Sequence, residues 1–64
     1  MDMRVKLIHT VMAEDQYGHC VWLSATELYY LEQKLGSGDI VVSDVMGVMY
    51  RINTPAIREA VVFS

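Results

Sequence analysis

Leu28, Leu31 and Leu35 recur at i, i+3 and i+7, the spacing of one narrow face of an α-helix. Just before them, Ser24 and Glu27 form the box S-A-T-E. In a capping box the serine hydroxyl and the glutamate carboxylate each accept from an otherwise unpartnered amide at the helix start. Leu23 and Leu28 suit a hydrophobic staple across that start. Lys34 suits the negative end of the helix dipole, and Gly36 a left-handed C-cap. The pattern predicts one helix over residues 25–35.

Elsewhere the apolar positions alternate, as strands require. "MRVKLIHTVM" is rich in β-branched residues, and "HCVWL" follows it across the polar "EDQYG", which predicts a hairpin. "DIVVS", "VMYRI" and "AIREAVVF" read as three further strands. Pro55, which has no N–H to donate, marks a turn or strand edge between the last two. The expected fold is α+β: a single helix packed on one face of a four- or five-stranded, mainly antiparallel sheet, in the order β-β-α-β-β-β. Residues 1–64 form one small domain.

Parity then divides the sheet into two faces. Ile40, Val42, Val48, Tyr50, Ile52, Ile57, Val61 and Phe63 are assigned to the face under the helix, with Leu28, Leu31 and Leu35. Ile8, Met12, Trp22, Val41, Met49 and Val62 fall on the opposite face, which one helix cannot cover. A monomer rarely exposes a large apolar patch. Ile8, Trp22, Val41, Met49 and Val62 are therefore expected to mediate self-association, face to face or through an unprotected sheet edge, with a dimer favoured.

Size strengthens that expectation. A chain this short buries only about 60% of its unfolded surface, so oligomerisation, a metal or disulfides usually contribute to its stability. The single cysteine, Cys20, excludes an intrachain disulfide and fits a reducing compartment. The first residues resemble neither a signal peptide nor a membrane span, and the chain is read as complete and cytoplasmic. Five basic residues against eight acidic give a net charge of −3, so a basic nucleic-acid stripe is not expected. A nucleic-acid-binding dimer would need Arg4, Lys6, Arg51 and Arg58 to converge on one sheet face.

Candidate chemistry is concentrated in "EDQYGHC" at 14–20, where a metal or thiol site would draw on Glu14, Asp15, His19 and Cys20. His19 and Cys20 are adjacent, so on a strand they face opposite ways. Paired ligand motifs are also missing. The stretch is read as a hairpin tip, and no catalytic, cofactor or metal residue is assigned. "GSGD" follows the expected helix, whereas a phosphate cradle precedes one, so it is read as a cap and turn.

On the expected helix, Tyr29 and Tyr30 flank the outer surface with Gln33 between them. Tyrosine offers a large contact area with a polar tip, so these three, extended by Tyr17 at the hairpin, are the candidate contacts for another protein. The resulting expectation is a homodimeric protein-interaction module, a regulator or inhibitor that is not an enzyme and acts by occupying a partner's surface.

Overall fold

The computed structural model describes residues 3–64; Met1 and Asp2 of the expected domain lie outside the described residues. Among the described residues seven strands and one helix follow one another: β1 (Arg4–Leu7), β2 (Val11–Asp15), β3 (Cys20–Leu23), β4 (Tyr29–Lys34), β5 (Ile40–Ser43), β6 (Met49–Ile52), α1 (Thr54–Ala60) and β7 (Val61–Phe63). The strands form one sheet in the order β3-β2-β6-β5-β4-β1-β7, antiparallel throughout.

This order forces the sheet to curl. Only Ile8–Thr10 join β1 to β2, yet these strands stand sixth and second in the sheet. Across a flat sheet four strand spacings would separate them by about 19 Å, while the four chain steps from Leu7 to Val11 reach at most about 14 Å. The sheet therefore wraps round, and its concave side encloses the core. Val5 and Leu7 near one end share a single buried cluster with Leu23 at the other, and with Val11, Ala13, Tyr29, Ile40, Val42 and Ile52 between them. The near-equal extents of 26 × 24 × 23 Å agree with a closed-up sheet.

Three hairpin turns share one design. In each, the first residue donates its N–H to the carbonyl of the fifth and accepts from the N–H of a glycine at the fourth: Asp15 to His19 (2.8 Å), Leu35 to Asp39 (2.9 Å) and Asp44 to Val48 (3.0 Å). Gly18, Gly38 and Gly47 all have positive φ. These are three-residue loops that end in a glycine bulge, the form in which a left-handed residue restores the strand twist. Asp15 and Asp44 reinforce theirs alike, each accepting with Oδ1 from the amides two and four residues later.

The expected helix over 25–35 is absent. Its first residues form a turn, in which the Ser24 hydroxyl accepts from the Thr26 amide at 3.2 Å, and its remainder is β4. A serine that can cap a helix can equally organise a turn, because both use the same hydroxyl-to-amide bond. Two β-prone tyrosines then favour extended backbone, and pairing with β1 on one side and β5 on the other decides the matter. The leucine spacing arises otherwise: Leu28, Leu31 and Leu35 are each half-buried, and a register shift between Leu31 and Gln33 breaks the alternation that would have revealed a strand.

The helix lies instead at Thr54–Ala60, in a stretch read as strand. Asn53 caps it, its side chain accepting from the Ala56 amide at 3.1 Å, and Pro55 fits the first turn, where no amide partner is needed. The fold is α+β with one helix and an antiparallel sheet, but with more strands and another element order than expected. Coverage of the core is also different. α1 contributes one fully buried residue, Ala60, while the sheet covers its own inner face. Ile40, Val42 and Ile52 occupy the core as expected; Val48 and Phe63 are exposed. The first expected strand is two, broken at Ile8–Thr10, and the predicted hairpin joins the second of them to β3, with Met12 opposite Trp22.

Candidate interaction surface

Residues directly opposed in neighbouring strands share a face of the sheet. On the convex side one row crosses five strands: Cys20 opposes Glu14, Glu14 opposes Arg51, Arg51 opposes Val41, and Val41 opposes Gln33. One step along β2 and β3 lies the pair Met12 and Trp22, both exposed; Trp22 retains 68% of its accessible surface. On the other side of the central row, Met49, Ser43, Tyr30 and Arg4 form another. Ser43 is buried there beneath Glu32, whose Oε2 accepts from the serine hydroxyl at 2.5 Å across the bulge in β4.

The row's charge is largely consumed within the molecule. Arg51 donates from Nε (3.0 Å) and Nη2 (2.7 Å) to one oxygen of Asp39, and Glu14 stands opposite it on β2. The second Asp39 oxygen accepts from the backbone N–H and hydroxyl of Thr54, each at 3.0 Å. These bonds, the Arg51 guanidinium foremost, hold the Asp39 carboxyl below the usual range. An open depression of about 350 Å³ lies beside them, with Met12, Glu14, Cys20 and Asn53 among its walls.

Two hairpin tips project from one end of the sheet. Asp15 at the end of β2 opposes Tyr50 near the start of β6, so the loop 16–18 and the loop 45–47 project from the same sheet end. Tyr17, Val45 and Met46 are all exposed, and Met46 retains 84% of its surface. Each loop is braced by its aspartate. The Asp15 carboxyl is held below its usual range, chiefly by the His19 amide. Asp44 also accepts from the Tyr50 hydroxyl at 3.2 Å, and partial burial, then this carboxylate, raise the Tyr50 pKa.

The two groups of residues expected from the sequence are redistributed. Tyr29 is a core residue, 1% exposed, because the strand turns it inward; its hydroxyl donates toward the Ser24 carbonyl (3.4 Å) and Glu27 (3.3 Å). It cannot be an outer contact. Tyr30 and Gln33 do face outward, but from the convex sheet side, the same side that carries Trp22, Val41 and Met49. Tyr17 stands at a hairpin tip, as expected. Val62 lies on the outer side of β7 opposite Lys6, and Ile8 in the β1–β2 connection with its N–H on the Ala60 carbonyl. The sequence reading missed Val45 and Met46. Their signal was D-V-M-G, apolar residues between a turn-forming aspartate and a glycine, in the same arrangement as D-Q-Y-G.

At the 14–20 hairpin, Cys20 is exposed beside Glu14, while His19 Nδ1 lies 3.8 Å from Asp15. Among the described residues no three His, Cys, Asp or Glu side chains are grouped so as to hold a metal ion. Arg4 and Lys6 lie on β1, Arg51 is paired on β6, and Arg58 is on α1. Among the described residues no helix is long and apolar enough to cross a membrane. No protein-family model, curated protein or solved structure matches this chain.

Proposed function

We propose that this chain is a small protein-interaction module, a homodimeric regulator or inhibitor that acts by occupying the surface of another protein. The observation that carries this reading is the apolar end of the sheet, where two hairpin tips project beside Met49. Tyr17, Val45, Met46 and Met49 stand exposed on a rigid frame of two aspartate-braced hairpins, while the core has its own complete cover. Methionine presents adaptable apolar contact and tyrosine a stiffer one, on a backbone that is already ordered. The only cation in the central row, Arg51, is tied to Asp39, which favours a protein partner over a polyanion.

The test compares capture by two folded baits. The wild-type chain and the triple variant Tyr17→Ser, Met46→Ser, Met49→Ser are each immobilised and exposed to extract of the native host. The expected result is a stoichiometric protein partner retained by the wild type and lost by the variant, with unchanged circular dichroism. Equal retention by both would overturn the surface. So would steeply salt-dependent retention of nucleic acid in place of a protein.

A further inference from the structure

We infer that a second copy of this chain pairs with the β3 edge, in antiparallel orientation and about a two-fold axis through Val21. This specifies the homodimer of the reading above and rests on it, but uses an edge apart from the hairpin tips.

The two ends of the sheet differ. β7 is only three residues long and has the Lys34 ammonium 6.0 Å from the centre of its Phe63 ring, and short strands and lysines both blunt an edge. Among the described residues β3 pairs with β2 alone. Its sequence, Cys20-Val21-Trp22-Leu23, contains no charge, proline or bulge, the usual devices that keep an edge from pairing with another chain. Because no charge lies on β3, a copy meets its own copy without like-charge repulsion.

Hydrogen-bond geometry selects the register. The Asp15 N–H bonds to the His19 carbonyl, so Asp15 and His19 are a bonded position of the hairpin. Antiparallel pairs alternate between bonded and non-bonded. Glu14 with Cys20 and Met12 with Trp22 are then non-bonded pairs, and Ala13 with Val21 is a bonded one. The backbone groups of Cys20 and Trp22 accordingly point away from β2. Among the described residues no other backbone bond reaches them. They form a free donor–acceptor set that only an extended strand can satisfy. With Val21 on the axis, each Trp22 bonds with Cys20 of the other copy, and all four residues' outward groups are used. Each exposed indole then packs beside a cysteine sulfur, a favourable sulfur–aromatic contact. Two tryptophans need not compete for one place. β3 cannot pair with a β7 edge by the same symmetry, and such a head-to-tail contact would propagate instead of closing.

A four-residue edge is small, below the roughly 1,200 Å² of stable complexes, so association on the order of micromolar is expected. Sedimentation equilibrium of the full chain across that range should show a reversible shift from 7.3 kDa to twice that mass. Cys20→Pro removes an outward N–H that the fold does not use, and should weaken association by at least about tenfold while the chain stays folded. Amide exchange of the wild type provides a second measurement that needs no variant. The Cys20 and Trp22 amides should be protected in concentrated protein and exchange freely on dilution, while Val21, bonded within the chain, stays protected. A wild type that remains monomeric at high concentration overturns the inference together with the homodimer. A dimer whose Cys20 and Trp22 amides exchange freely, or that persists in folded Cys20→Pro, overturns the β3 edge alone. Partner capture through Tyr17, Met46 and Met49 is read separately and survives either result.

Discussion

Arg51 on β6 reaches Asp39, twelve residues earlier, with two hydrogen bonds of 3.0 and 2.7 Å to one carboxylate oxygen. The other oxygen receives Thr54 at the start of α1. One carboxylate thus ties the β4–β5 turn to β6 and to the helix. Asp39→Ala should lower stability more than Asp44→Ala, since it removes the acceptor of a hydroxyl and an amide along with that of the guanidinium. Chemical denaturation of the variant beside Asp44→Ala, which frees no cation, measures the difference.

The same carboxylate sets an acid limit. Its folded-state pKa lies below the unfolded value, so the stability it contributes is present above the ordinary carboxylate pKa and is lost as pH falls through the folded one. Asp39→Asn should therefore flatten the acid side of the stability profile. Thermal unfolding of both proteins from neutral pH down to about 2 checks this, the wild type being expected to lose more.

At the alkaline side the group is Tyr29, whose pKa burial pushes up to about 12, with Glu27 adding to the shift. Its folded pKa exceeds the unfolded one, so its contribution is complete below about 10 and is lost as pH rises toward 12. Tyr29→Phe should remove that alkaline loss at small cost near neutral pH. Tyr29→Ala should cost about 3–5 kcal/mol, as large aromatic truncations in a core do. Leu31→Ala, at a half-buried position, should cost less than Tyr29→Ala in the same urea titration.

The glycines should separate into two classes. Alanine at Gly18, Gly38 or Gly47 must adopt a positive φ, at roughly 1–2 kcal/mol each. Gly38 should be worst, since an added Cβ would also lie 3.1 Å from the Thr54 hydroxyl. Gly36→Ala meets no atom and no unusual φ, and should leave the melting temperature unchanged or slightly raised. A melting series of the four variants decides this.

Asn53 offers a test of the helix that the sequence pattern concealed. Asn53→Ala should cost about 0.5–2 kcal/mol by removing the acceptor for the Ala56 amide. The helical signature in far-ultraviolet dichroism should fall, whereas Ser24→Ala, in a turn, should leave that signature in place.

Local chemistry by itself determined the hairpin across "EDQYG", the strands at "HCVWL", "DIVVS" and "VMYRI", and the exposed parity of Trp22, Met12 and Met49. Those features depend on alternation and on turn residues, which act over a few positions. Asn53-Thr54-Pro55, read as a turn between strands, starts a helix instead, and a helix of seven residues carries too little periodicity to outweigh the β-branched residues after it. Only the tertiary structure decided the state of residues 25–35. Capping and turn chemistry are the same hydrogen bond at Ser24, and two unpaired strand edges waiting on either side supplied what the local preference lacked. The sheet's curvature was likewise invisible along the chain, because it arises from a three-residue link between strands that the sheet order places far apart. Strand alternation set Tyr29 and Tyr30 on opposite faces, and curvature made the Tyr29 face the enclosed one and left Tyr30, Met12, Met49 and Trp22 on the convex side.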